Sequence, residues 1–214
     1  MMIPEPETEY VPVAMRGLWE RQSLSLNGEM VEDDSRVLWM QGSKAFVDLR
    51  VPSSRSHVIS FAGDTRVRDA SIRFRHDIDL IPYIAEDAAE FDWIDPDTLV
   101  ETGKITTGGG DLSFTEVWRR QSPLGADSST WRLRDSMGAT KGVAVSVGRF
   151  LAVAHDGRDI GDVYRAQILE KTADGWLPIL SVGCDLFRIT RDQRGIESIL
   201  REEVGDGRHL WMEE

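Results

Sequence analysis

Cysteine is almost absent from this chain of 214 residues, which contains only Cys184. A single cysteine excludes an intrachain disulfide, and we therefore expect a protein of a reducing compartment, the cytoplasm. No apolar run approaches the roughly 18 residues that a membrane-spanning helix needs. The residues after Met1 show neither the basic nor the apolar region of a secretion signal. The sequence thus predicts a cytoplasmic protein with no membrane partner.

Basic residues are also scarce. The chain has 25 Lys and Arg against 37 Asp and Glu, a formal net charge of -12. Such a charge repels a phosphate backbone at long range, and no basic cluster provides a local exception. We therefore expect no nucleic acid partner.

Strand-like alternation is the main pattern that the sequence does contain. Between residues 71 and 80, apolar residues and His76 alternate with charged residues, which predicts a half-buried strand. Similar runs separated by turn residues predict hairpins over residues 37–51, 143–154 and 163–182, with one long strand bent by a bulge at Gly148 as the alternative for the second. One helix is predicted, over residues 193–204, before a last strand at residues 209–212.

A short phrase occurs twice, about half a chain length apart. Residues 18–23 read LWERQS and residues 117–122 read VWRRQS. A repeat at this period predicts two related domains. We expect a flexible arm over residues 1–12, an N-terminal barrel over 13–105 and a C-terminal barrel over 106–214, with the boundary at the glycine run 108–110. The predicted fold class is all-β: two tandem lipocalin-like antiparallel barrels, with a short C-terminal helix before the last strand.

Several motifs resemble known families. Gly17-Leu18-Trp19 resembles the G-x-W element of lipocalins. The phrases at residues 101–103, 113–118, 145–150 and 168–171 (ETG, SFTEVW, VSVGRF and ILEK) occur in the order and approximate spacing of the fungal Hri family, which is calycin-like. This resemblance covers most of the chain from about residue 90 onward. It implies two lipocalin-like barrels in tandem and assigns no catalytic residue.

Seven residues are predicted to line a ligand pocket in the first barrel. They are Trp19, Arg21, Trp39, Arg50, His76, Trp93 and Glu101. Trp19 either stacks on a ligand or plugs the barrel end. Because Arg21 shares the face of Trp19, it needs an internal partner such as Glu101, or a bound carboxylate or phosphate.

His76 allows two interpretations. Its place on the apolar face predicts an inward imidazole, which either acts in a pocket or is a hydrogen-bonded core residue. Asp77 and Asp79 should point to the opposite face, which argues against a metal cluster on this strand. No metal or cofactor is therefore expected.

The sequence is compatible with three functions. The first is a non-catalytic binding protein that takes a small apolar or carboxylate-bearing ligand. The second is a scaffold with filled barrels, which would bind a protein partner through an exposed apolar patch. The third is a barrel-cavity enzyme that uses His76 or Glu101 as a base. No nucleophile motif supports catalysis, since Cys184 precedes an acid and the glycine run lacks the lysine of a phosphate-binding loop.

Overall fold

The computed structural model describes residues 11–81, 87–107, 110–161, 163–183 and 210–214. In these residues the chain forms fifteen β-strands in two sheets, with short 3-10 turns at Val13–Met15 and Arg158–Ile160. The strands are β1 Gly17–Leu26, β2 Glu29–Met30, β3 Arg36–Gln41, β4 Ala45–Val51, β5 Ile59–Arg68, β6 Ser71–Asp79, β7 Asp87–Asp95, β8 Thr98–Thr107, β9 Gly110–Arg120, β10 Ser128–Arg134, β11 Thr140–Val147, β12 Phe150–Asp156, β13 Tyr164–Thr172, β14 Gly175–Val182 and β15 Leu210–Glu213. The all-β prediction and the three hairpins are confirmed.

The first sheet closes into an antiparallel barrel of eight strands. Strands β1 and β3 to β9 pair in that order, and β1 then pairs with β9. The short strand β2 pairs antiparallel with the end of β1 and is not one of the eight barrel strands. Closure through β1 and β9 separates the barrel interior from its outer wall. In the described residues β6 pairs with β7 over Ser71 to Phe74 alone.

The two copies of the repeated phrase lie side by side in this one barrel. Trp19 pairs with Arg120, and Arg21 pairs with Trp118, across the antiparallel β1–β9 junction. The phrase therefore marks the two strands that close the barrel, and not the starts of two barrels. The boundary expected near residue 106 instead separates β8 from β9, which pair along their length. The chain passes to the second sheet between Arg120 and Ser128.

The second sheet has six strands in the order β14-β13-β12-β11-β10-β15. In the described part of the chain no pairing joins its two edges, so the sheet is open and the predicted second barrel is not found there. The predicted last strand is present as β15, paired with β10. The predicted helix at residues 193–204 and Cys184 lie outside the described residues.

One face of the second sheet packs on the outer wall of the barrel. Small residues on both sides, among them Ala45, Ala62, Ala152 and Ala154, are fully buried in this shared core. Small side chains let the two sheets approach closely, and the remaining space is filled by Val, Leu and Ile. The outer wall is therefore a packed apolar interface.

Arg132 adds an ionic contact at the edge of this interface. Its buried guanidinium pairs with Asp64 of β5, Asp77 of β6 and Glu214 after β15. A buried guanidinium needs several acceptors. Because Arg132 lies on the second sheet and two of its acceptors lie on barrel strands, these pairs connect the two sheets.

The last residues of the expected N-terminal arm, 11 and 12, are described by the structure. Residues 1–10 lie outside the described residues. Val11, however, is fully buried in the barrel core, and its N–H donates to the Ser43 carbonyl at 2.8 Å. The chain is thus part of the barrel before residue 13.

Candidate functional site

One end of the barrel is closed by a floor of packed side chains. The fully buried Trp19 donates from its Nε1 to the Met15 carbonyl at 2.8 Å. The Arg120 guanidinium lies 4.2 Å from the centroid of the Trp19 ring and donates to the Ala14 carbonyl at 2.5 Å. A cation over an indole face and a satisfied indole N–H both fix this packing. Trp19 therefore lies in the floor, below the cavity.

A cavity of about 330 Å³ lies above the floor. Its lining is mostly aromatic and aliphatic, with convergent charged groups. The lining residues are Arg21, Leu24, Trp39, Phe46, Asp48, Arg50, Ile59, Phe61, Phe74, His76, Asp79, Ile81, Asp87, Glu101, Ile105, Phe114, Glu116 and Trp118. Ten of these eighteen residues are apolar and eight are ionisable, and an enclosed, mostly apolar surface with convergent polar groups has the general character of a small-molecule site.

Five of the seven predicted site residues line this cavity. They are Arg21, Trp39, Arg50, His76 and Glu101. The other two, Trp19 and Trp93, are not among the lining residues; their ring centroids are 5.8 Å apart, and Trp19 also packs on Trp39 at 6.1 Å. The structure therefore assigns these two residues to the packing beneath the cavity.

The two cavity arginines share one carboxylate. Arg21 Nη1 donates to Glu116 Oε1 at 2.5 Å and Arg21 also pairs with Asp33. Arg50 Nε contacts Asp48 Oδ1 at 2.9 Å, and its Nη1 lies 3.7 Å from Glu116. The prediction of an inward Arg21 is confirmed, but its partners are Glu116 and Asp33, and Glu101 is not among them.

A β-bulge in β6 changes the face of every residue after His76. Gly63 of β5 pairs with His76, and the register then shifts, leaving Asp77 as the extra residue. As a result Ile78 points to the core between the sheets, and Asp79 lines the cavity with His76. The expectation that Asp79 points away from His76 is therefore wrong, because a bulge reverses the alternation.

Gly63 permits the bulge. A Cβ added there would lie 1.8 Å from the Arg75 carbonyl oxygen, which is far inside van der Waals contact. Only glycine allows this backbone approach.

His76 is held between two carboxylates. Its Nδ1 lies 2.7 Å from Asp79 Oδ1, and its Nε2 lies 3.0 Å from Asp87 Oδ2. The ring also stacks on Phe61 with centroids 4.3 Å apart. Burial by itself would lower the pKa of His76, but the contacts with Asp87 and Asp79 outweigh it and raise the pKa. The arrangement favours the imidazolium form.

Among the described residues, Glu101 is a buried acid with no basic side chain in contact. The residue is 6% exposed, and its Oε2 accepts a hydrogen bond from Trp118 Nε1 at 3.0 Å. Burial raises the pKa of Glu101 well above its usual value, and the nearby Glu116 and Asp87 raise it further. A carboxyl group with such a pKa can hold or release a proton in the cavity.

Apolar side chains surround the open side of the cavity. Ile59, Ile81 and Ile105 line it and are 42%, 58% and 36% exposed. We refer to these three residues as the isoleucine rim. An exposed apolar rim next to a cavity is suited to the passage of an apolar molecule.

Sequence reasoning missed four of the cavity acids: Asp48, Asp79, Asp87 and Glu116. Asp48 could have been found, because it shares a strand face with Arg50. The isolated Gly63 within a strand was the available signal for the bulge that brings Asp79 inward. Asp87 and Glu116 reach the site only through the pairing of β7 with β6 and of β9 with β1, which local periodicity does not specify.

In the part of the chain that the structure describes, no group of three or more His, Cys, Asp or Glu side chains is arranged to hold a metal ion. The same residues include no helix long and apolar enough to cross a membrane.

Comparison with known proteins identifies a shared fold. No known family matches the chain, and no curated protein does. Among solved structures, the crystal structure of the uncharacterized protein YLR301w from Saccharomyces cerevisiae is similar, with a TM-score of 0.63 and 14% sequence identity over 84% of this chain and 90% of that chain. Similarity at this identity concerns the fold alone. The resemblance to the fungal Hri family stays a prediction.

Proposed function

We propose that this protein is a non-catalytic binding protein that takes a small, largely apolar ligand into the barrel cavity. The observation that carries the proposal is the cavity of about 330 Å³ between the tryptophan floor and the isoleucine rim. Its volume lies in the range of small-molecule sites, and its aromatic walls would exclude water from such a ligand.

The alternative of a scaffold with filled barrels fits this cavity less well. A filled barrel would place core side chains where the structure has open space lined by Phe61, Phe74 and Phe114. One face of the second sheet, by contrast, packs against the barrel wall through buried apolar side chains. We therefore assign ligand binding to the barrel interior and a structural role to the interface between the sheets.

A barrel-cavity enzyme is the second candidate, favoured by one observation. Glu101 combines a strongly raised pKa with a position in the cavity wall, which is a feature of general acids and bases. His76 is less suited to act as a base, because Asp79 and Asp87 occupy both of its ring nitrogens. Chemical change of a co-purified ligand on incubation with the protein would favour this candidate over simple binding.

Native mass spectrometry tests the binding proposal. The wild-type protein is expected to carry a co-purified small molecule, or to bind the neutral probe N-phenyl-1-naphthylamine with one-to-one stoichiometry. In Ile105→Trp an indole on the rim should obstruct the cavity and reduce binding. Ile94→Trp is the matched control, because Ile94 is 66% exposed and does not line the cavity. Equal binding by both variants, or no binding by the wild type, would contradict the proposal.

A further inference from the structure

The charges that line the cavity are unbalanced. Five carboxyl groups line it, against two guanidinium groups and one imidazole. Asp33, which pairs with Arg21, adds a further acid beside the cavity. The cavity therefore has an excess of acid even when His76 is protonated.

Every basic group of the cavity is already occupied by acids. Arg21, Arg50 and His76 each lie within 4.0 Å of two carboxylates. A ligand carboxylate would have to displace one of these partners, and would leave a buried carboxylate without its cation. The carboxylate-bearing ligand that the sequence suggested is thus disfavoured.

Glu101 differs from the other cavity acids in its partners. In the described residues its hydrogen bond comes from Trp118, a neutral donor, and no Lys, Arg or His nitrogen lies within 4.0 Å of its carboxylate. The Arg50 guanidinium acts on Glu101 only from a greater distance, and its lowering of the Glu101 pKa does not offset burial. Burying an ionised carboxylate without a cation in contact is costly, so Glu101 is driven toward its neutral form, and a cation placed beside it would favour the ionised form.

The aromatic walls favour the same sign of charge. Six rings line the cavity: Trp39, Phe46, Phe61, Phe74, Phe114 and Trp118. The faces of such rings attract organic cations. The Trp118 indole that donates to Glu101 is one of these walls, so an aromatic surface and an acid without a cation in contact lie next to each other.

We propose that the cavity binds an organic cation, an amine or ammonium compound with an apolar body, and that Glu101 is its counter-ion. The inference rests on the proposed function, since it names the ligand class of the same cavity. The ligand nitrogen supplies the positive charge that Glu101 lacks. The apolar body of the ligand contacts the aromatic walls and the isoleucine rim.

Three probes with one ring system test this selectivity: 1-naphthylmethylamine, 1-naphthylmethanol and 1-naphthoic acid, which are a cation, a neutral molecule and an anion at pH 7. Titration calorimetry on the wild-type protein should give an affinity for the amine about tenfold higher than for the alcohol, with the acid weakest. In Glu101→Gln the advantage of the amine over the alcohol should fall to about threefold or less, with the affinity for the alcohol unchanged.

Glu90→Gln is the matched control, because Glu90 is exposed on the neighbouring strand β7 and does not line the cavity. It should keep the wild-type preference. If the alcohol or the acid binds the wild-type protein as tightly as the amine, the inference is overturned while the binding proposal stands. If none of the three probes binds, the proposed function fails and the inference fails with it. The wild-type comparison decides the matter even if Glu101→Gln does not fold.

Discussion

The two ends of the barrel interior use the same strands in opposite ways. At the floor, β1 and β9 present Trp19 and Arg120, which stack on each other; the Trp19 Nε1 and the Arg120 Nη atoms donate to backbone carbonyls, and Arg120 Nε lies 3.2 Å from Asp97 Oδ1. Toward the rim the same two strands present Arg21 and Glu116, which face open space. One pair of strands therefore provides packing at one end of the barrel and an unfilled, charged cavity at the other.

Loss of the floor should have the largest effect on stability. Trp19→Ala removes a fully buried indole and should lower the free energy of unfolding by about 3–5 kcal/mol. Trp19→Phe, which keeps part of the ring volume, should lose clearly less. Urea denaturation monitored by circular dichroism measures both. A wild-type midpoint for Trp19→Ala would contradict the structural role of the floor.

Disruption of the bulge should come next, and should affect both stability and the cavity. Gly63→Ala places a Cβ 1.8 Å from the Arg75 carbonyl oxygen and should cost about 1–3 kcal/mol or more. If the strand relieves this clash by losing the bulge, Asp79 leaves His76. The NMR titration of the His76 ring should then move to lower pH than in the wild type, since Asp79 helps to raise its pKa. Unchanged stability together with an unchanged titration would show that the bulge does not need glycine.

Removal of the Glu101 charge should change how stability depends on pH. The pKa of Glu101 in the folded protein is raised above its unfolded value near 4.3. The contribution of Glu101 to the free energy of unfolding is therefore fully present at pH values below that unfolded value. It is lost as pH rises through the folded pKa, by at most about 1.4 kcal/mol per pH unit.

Glu101→Gln should therefore match the wild type near pH 4 and exceed it at pH 8. Urea denaturation at several pH values from 4 to 8 measures the difference. Parallel pH profiles for the two proteins would contradict the assigned environment of Glu101.

A surface pair on the second sheet should have the smallest effect. Arg149 Nε lies 2.9 Å from Glu170 Oε1, and the Arg149 side chain is 61% exposed. Exposed pairs contribute roughly 0–1 kcal/mol, so Glu170→Gln should change the free energy of unfolding by no more than that. A larger loss of unfolding free energy would mean that the Arg149–Glu170 pair is more tightly coupled to the core than its exposure indicates.

Local periodicity predicted strands of both sheets but not the closure of the barrel. The alternation in β6 and the turns between β3 and β4 and between β13 and β14 identified strands correctly, because each depends on neighbouring residues alone. The repeated tryptophan phrase was assigned to two barrels, because its pairing across β1 and β9 is a long-range contact that no local pattern encodes.

The same distinction explains the candidate site. Arg21 and His76 were placed inside the barrel from alternation alone, and the structure has them in the cavity wall. Asp79 was assigned to the wrong face because a single bulge reverses the alternation after His76. Trp93 was assigned to the pocket on residue type, but the depth of a residue in a barrel depends on strand tilt and stagger.

The barrel should admit a ligand into its hollow interior above the floor. Crystals soaked with 1-bromonaphthalene, with data collected at the bromine absorption edge, provide the decisive measurement. An anomalous peak is expected inside the barrel, between the Trp39 ring and the isoleucine rim, in the space of about 330 Å³ that the structure contains. Anomalous density found only on the protein surface, with side chains filling the barrel, would contradict this prediction.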